Sequence, residues 1–159
     1  MKIKLITVGR LKEDFYKKAA AEYEKRLSRF HKITAYELSE ESKSDSPSES
    51  EIKKALEKEG KNIIKNISNG AYVIALAIGG KAISSEKLAE KIKSIADSST
   101  GEIDFIIGGS HGLSDEVLAR ADFLLSFSPM TFTYQLSRVI LTEQLYRASK
   151  INSGETYHK

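Results

Sequence analysis

The chain has no cysteine and no tryptophan, and only two prolines and three histidines among 159 residues. Without cysteine, disulfides and thiolate metal sites are excluded. His31, His111 and His158 are scattered, so a histidine-rich metal site is not expected and no metal is assigned. No run approaches the ~18 apolar residues needed to cross a bilayer. The N-terminal Met1-Lys2-Ile3-Lys4-Leu5-Ile6 is too short and too charged for a signal peptide, and it alternates like a strand. A cytoplasmic protein without a membrane partner is expected. Two phosphate-binding patterns are also missing. Gly108-Gly109-Ser110-His111-Gly112 lacks the GxGxxG spacing, and Gly79-Gly80-Lys81 lacks the phosphate-loop spacing and its following Ser or Thr.

What is present fits one globular domain spanning 1–159, with 40% hydrophobic and 30% charged residues. A chain of this length buries roughly 70% of its unfolded surface. The net charge is only +3 but unevenly placed. Residues 1–32 carry ten Lys or Arg against four acids, whereas 37–51 carry six acids and one Lys. Arg138, Arg147, Lys150 and Lys159 add to a basic C-terminal segment. Such asymmetry is compatible with a basic face for a polyanion, and equally with a solvated surface of ordinary ion pairs.

Periodicity sets the elements. Lys2–Val8 reads as a strand closed by Gly9, and Lys12–Phe30 as an amphipathic helix with Tyr16, Ala20, Tyr23 and Leu27 on one face. Lys32–Leu38 reads as a strand, and residues 39–50, rich in Ser and acids with Pro47, as a mobile loop. A helix over 51–67 follows, weakened at Gly60. Ala71–Ile78 and Ile103–Ile107 read as buried strands. Between them lies a helix capped by Ser84 or Ser85. Ser114 starts a short helix, Phe123–Phe127 is the last strand, and a long helix covers 131–149, with 150–159 as a tail. The order βαβαβαβαβα predicts an α/β fold, a parallel sheet with helices on both faces.

In open α/β sheets, ligands bind beyond the carboxyl ends of the strands. Three bends lie there: 78–81, 108–112, and Phe127-Ser128-Pro129-Met130-Thr131-Phe132. Each alone reads as a tight turn; their convergence on one edge would make a pocket for a nucleotide-like cofactor. His111 reads either as a substrate contact or as an exposed loop residue. The closing Tyr157-His158-Lys159 combines an aromatic ring, an imidazole and a cation, groups that stack on and pair with nucleotides, although chain ends commonly fray.

The chain resembles the RlmH family, SPOUT-class methyltransferases that act on pseudouridine in large-subunit ribosomal RNA. The resemblance runs from Val8-Gly9-Arg10-Leu11-Lys12 to the closing Tyr157-His158-Lys159. Its most specific parts are Phe105-Ile106-Ile107-Gly108-Gly109, Ser126 to Phe132, and Glu143-Gln144-Leu145-Tyr146-Arg147-Ala148. It implies a C-terminal trefoil knot, an exception to the avoidance of knots, and a homodimer whose partner subunit completes the site. It also implies S-adenosylmethionine as cofactor, held at Leu76, Gly108, Phe127, Ser128, Pro129, Met130, Thr131 and Phe132. Arg138, Tyr157 and His158 match substrate-handling, catalytic positions, and the tail 150–159 contributes to the site. The activity implied is methylation of pseudouridine N3 on the assembled ribosome. A ribosome-associated RNA-binding protein without catalysis is the alternative. One departure stands out: the family usually reads Pro-His where this chain has Thr133-Tyr134.

Overall fold

The computed structural model describes residues 1–41, 44–98 and 101–157. Five strands and five helices alternate: β1 (Lys2–Val8), α1 (Asp14–Leu27), β2 (Lys32–Leu38), α2 (Glu49–Asn66), β3 (Tyr72–Ala82), α3 (Ser85–Asp97), β4 (Glu102–Ile107), α4 (Asp115–Arg120), β5 (Phe123–Ser126) and α5 (Tyr134–Asn152). The strands form one sheet in the order β2-β1-β4-β3-β5, and every pairing is parallel. The alternation of elements read from the sequence is borne out.

The sheet is apolar on both faces because helices cover both. Ile3 and Leu5 of β1, Ile74 of β3, and Ile103 and Phe105 of β4 point to one side, beneath residues of α3 and α5. Ile6 and Val8, Val73 and Ala75, and Ile106 point to the other, against Ile63 of α2 and Val117 of α4. Helix α5 packs between α1 and α3 on the first face. The edge strand β2 is thinly covered: Ile33 and Leu38 are half-buried, whereas Ala35 and Tyr36 are exposed.

Several boundaries differ from the sequence expectation, each for a local reason. Helix α2 starts at Glu49 because Ser48 closes a reciprocal capping box with Glu51. The expected mobile loop therefore loses its last residues, and Ser42 and Lys43 of it lie outside the described residues. Helix α5 starts at Tyr134, where the Thr133 hydroxyl accepts the Leu136 N–H at 3.3 Å, and continues to Asn152. Strand β3 runs past Ile78 to Ala82 across an irregularity, since Leu76 and Lys81 both pair with Leu125.

Two polar contacts tie α5 to the first face. Arg138, 7% exposed, donates to Glu37 of β2 at 2.6 Å and to Glu24 of α1 at 3.0 Å. His31 Nε2 lies 3.0 Å from Ser149 Oγ, which itself donates to the Leu145 carbonyl at 2.8 Å. The hydroxyl's only proton is committed there, so the imidazole must donate through Nε2–H. Its Nδ1 is then buried without a partner. Burial, and secondarily the nearby amino terminus, lower the His31 pKa to about 4.

An unfolded histidine titrates near ~6.5, so the unfolded chain takes up the proton first. The stability from neutral His31 is therefore complete above about pH 6.5 and is lost as pH falls toward about 4. The full effect is at most about 3 kcal/mol, at ~1.4 kcal/mol per pH unit. Thermal melts of wild type and His31→Gln at pH 7 and pH 4.5 will check this. Gln keeps the donor but cannot titrate, so the wild type should lose its advantage at the lower pH.

Candidate functional site

The parallel sheet brings all five strand ends to one edge, and a cleft of about 970 Å³ opens there. Its walls come from the ends of β3, β4 and β5, closed by the first turn of α5 and by Lys12 and Glu40 from the loops after β1 and β2. The three bends expected to converge do so. Leu76, Gly108, Phe127, Ser128, Met130, Thr131 and Phe132 all line the cleft, whereas Pro129 shapes its turn without joining the wall.

Each bend has a local cause. Between Leu76 and Lys81 the extra residues of β3 have no partner on β5, so Ala77–Gly80 bulges outward over the cleft. After β4 the chain curls back, with the Gly112 N–H donating to the Gly109 carbonyl at 3.2 Å. A side chain at Gly108 would collide with the Gly112 carbonyl and lie 3.1 Å from Leu113 Cδ2, so only glycine permits this curl. After β5, Ser126 Oγ donates to the Ser128 carbonyl at 3.2 Å, and Ser128 Oγ accepts the Met130 N–H at 3.0 Å. These hydroxyls stiffen their own loop, which leaves recognition chiefly to backbone groups and apolar side chains. Ile78 and Met130, 57% and 68% exposed, stand as apolar residues at the mouth.

Tyr134, one of the two residues at which the chain departs from the resemblance, lines the cleft. Its ring presses on Gly9, where a Cβ would come within 2.7 Å of the ring, and Gly9 has φ of +92°. Its hydroxyl donates to the Arg10 carbonyl at 3.2 Å. Burial raises the Tyr134 pKa, with Glu40 and Glu37 adding to the effect, so the phenol stays protonated near neutral pH. Tyr134 is thus a donor and a spacer, not a base. Beside it, the Gln135 side-chain oxygen accepts the Lys12 N–H at 2.6 Å, pinning the β1–α1 loop to the cleft.

Sequence reasoning missed Glu40, which it placed in a mobile loop. Glu40 lines the cleft and accepts the Ser110 N–H at 2.9 Å, while its neighbour Glu41 donates its N–H to the buried Glu59 at 2.8 Å. The available signal was topological: in a parallel sheet the ends of β1 and β2 share the edge with those of β3, β4 and β5.

Of the expected substrate-side residues, Arg138 and Tyr157 lie away from the cleft wall. Arg138 is one residue beyond cleft-lining Ser137, but its guanidinium turns inward to Glu24 and Glu37. Tyr157 packs edge-on against Tyr146 at 4.9 Å, donates to Glu143 at 3.2 Å, and lies under the Arg147 guanidinium. Burial, followed by contact with Tyr23, pushes its pKa up to about 12. Neither Arg138 nor Tyr157 is on the cleft wall, and His158 lies outside the described residues. Among the described residues no group of acids and histidines is placed to hold a metal ion.

Comparison with known proteins agrees with this architecture. A family model described as predicted SPOUT methyltransferase matches residues 1–158. The chain is 52% identical over 159 residues to a ribosomal RNA large subunit methyltransferase H from Bifidobacterium adolescentis, with all of both chains covered. It is 49% identical, again over the full length of both, to proteins of the same name from Clostridioides difficile and Alkaliphilus oremlandii. Among solved structures, a probable methylase family protein from Haemophilus influenzae Rd KW20 superposes with a TM-score of 0.55 at 17% identity, covering 99% of this chain and 70% of that one. TrmJ from Z. mobilis ZM4 gives 0.53 at 13% identity, covering 93% and 70%. These two support the fold alone. With a family model spanning 158 residues and full-length relatives near half identity, the chain belongs to the SPOUT methyltransferase family.

Proposed function

We propose that this protein transfers a methyl group from S-adenosylmethionine to N3 of a pseudouridine in large-subunit ribosomal RNA, as a cytoplasmic homodimer acting on the assembled ribosome. The observation that carries the reading is the meeting of three separate bends at one cleft, in a chain half identical to full-length ribosomal RNA methyltransferases. The cleft volume of about 970 Å³ lies at the upper end of small-ligand pockets. Its walls offer backbone groups and apolar side chains, and Lys12 is the lone Lys or Arg among the lining residues. That suits an adenosyl group without phosphates.

S-adenosylmethionine bound there would supply an activated methyl to N3, with S-adenosylhomocysteine as the leaving group and the N3 proton passing to solvent. The task left to the chain is alignment and exclusion of water. Leu76, Gly108 and the 127–132 bend hold the adenosyl and methionine parts. Keeping the reacting atoms at ~3–3.5 Å supplies several kcal/mol of the barrier. The protonated Tyr134 fixes Gly9 and Arg10 at the rim without taking the N3 proton.

On the substrate side the reading assigns Arg138, Tyr157 and His158. Arg138 acts by position: paired with Glu24 and Glu37, it orients α1, β2 and α5 and so fixes Ser137 on the wall. Tyr157 and His158 belong to a tail that serves the cleft of a second copy across a twofold axis. The dimer reading rests on exposed apolar groups, Phe15 at 63% and Tyr36 at 47%, and on half-buried Leu136, Val139 and Ile140 of α5. A trefoil knot formed after β5 and a single domain over 1–159 are parts of the same proposal.

Gly108→Ala should weaken S-adenosylmethionine binding by about tenfold or more, which is ~1.4 kcal/mol, and should lower the melting temperature too, since the added methyl meets the Gly112 carbonyl. Isothermal calorimetry reads this, and a folded wild type that binds no cofactor would refute the reading. Arg138→Ala should cost about 1–3 kcal/mol of stability, since Glu24 and Glu37 lose their cation but keep partial access to water. Arg138→Lys should keep the fold and the cofactor affinity yet lower turnover on ribosomes. Unchanged kcat in a folded Arg138→Lys protein would remove Arg138 from the catalytic scheme.

A further inference from the structure

A second groove lies between α3 and the edge strand β5, with a volume of about 420 Å³. Three lysines, Lys81, Lys87 and Lys91, line it against one acid, Glu90. Lys87 pairs with Glu90 at 2.7 Å. Lys81 and Lys91 have no carboxylate partner among the described residues. Lys91 is instead held over aromatic rings, with its Nζ 4.2 Å from the Phe123 centroid and 5.8 Å from that of Tyr72. A cation on two ring faces keeps its charge and its outward N–H donors while losing side-chain freedom. Lys87 and Lys91 are one helical turn apart, about 6 Å along the axis, so their ammonium groups form a row along one side of the groove.

The position of the row matters as much as its charge. Phe123 opens β5 at this groove, and Ser126 ends β5 on the cleft wall. Three residues of strand span about 10 Å. A polynucleotide that places one base in the cleft has its neighbouring phosphates within that distance. The occupant must be anionic, repetitive and continuous with whatever enters the cleft.

We infer that the Lys81–Lys87–Lys91 groove is a track for the phosphodiester backbone of the ribosomal RNA strand flanking the target nucleotide. Lys91, braced on Phe123 and Tyr72, is its fixed point. This rests on the RNA substrate proposed above and adds to it a second contact surface on α3 and β5. No role in methyl transfer itself falls to these residues.

The test uses full-length protein, purified bacterial ribosomes and radiolabelled S-adenosylmethionine. Lys81→Gln/Lys91→Gln is compared with wild type and with Lys93→Gln, an exposed α3 lysine outside the groove. Losing two phosphate contacts should make log K against log[salt] shallower by about 1.4, at ~0.7 per contact for a single strand. That corresponds to about 25-fold weaker binding at ~0.1 M salt, with the deficit vanishing toward ~1 M. KM for ribosomes should rise in step, while kcat, cofactor affinity by calorimetry and melting temperature stay at wild-type values. Wild-type salt slope and KM in the double variant overturn the groove assignment, as does an equal loss in Lys93→Gln. A change in the subunit association constant instead would make the groove a protein contact and also overturn it. Failure of the wild type to methylate ribosomes is a separate result, which defeats the reading of the cleft itself.

Discussion

The rest of this structure depends on five strands running the same way, with both faces of the central strands buried. A parallel strand buried on both sides satisfies its backbone groups in the ladder and its side chains in the two cores. Irregular backbone is then confined to the ends. Because the direction is shared, every strand delivers its exit loop to one edge. Such an edge concentrates backbone donors and acceptors that no ladder uses, which suits binding of a neutral, hydrogen-bonding adenosyl group. The β3 bulge opposite Leu125 and the curl at Gly108 turn that edge into a cleft.

Helix α5 is the second organising element. It lies between α1 and α3 on one face and begins at the cleft through the Thr133 cap and Tyr134. Its polar contacts face inward: Arg138 to Glu24 and Glu37, Ser149 to His31, and Glu143 to Arg147 and Tyr157. Buried charges of this sort add little net stability over apolar residues of equal volume. What they do impose is register, because a one-turn slip of α5 would leave the Arg138 guanidinium buried with no acid. The same register sets where Tyr134 and Gln135 meet the loop after β1. The chemistry of the edge and the packing of the far face are thereby coupled through one helix.

How much was legible from the residues follows from the range of the forces involved. Strands β1, β3 and β4 were readable because Ile, Val, Leu and Phe runs have no other stable placement; Ser114 announced α4 through local cap chemistry, and of Ser84 and Ser85, both candidates for α3, the structure selects Ser84. The starts of α2 and α5 shifted by two and three residues because Ser48 and Thr133 are hydroxyl caps set among other hydroxyls, and sequence alone did not rank them. Glu40 was missed because a Ser- and acid-rich stretch looks mobile until Ser110 and Glu59 supply partners. The bends that line the cleft were found by combining three weak glycine and serine signals. The residues expected on the substrate side came only through family resemblance, and the fold sends two of them, Arg138 and Tyr157, away from the cleft of their own chain.

Taken by itself, the sequence determined the alternation of elements, the parallel sheet, the absence of cysteine chemistry and the family, because these depend on periodicity, composition and ordered motifs along the chain. Only the tertiary structure decided that Tyr134 is a protonated spacer, that Arg138 spends its charge on two acids, and that Lys91 lies across Phe123 and Tyr72. The physical reason is separation: Arg138 meets Glu24 from 114 positions away in the chain, and a charge or a pKa is set by whatever lies within a few ångströms in space. No local pattern encodes that neighbour.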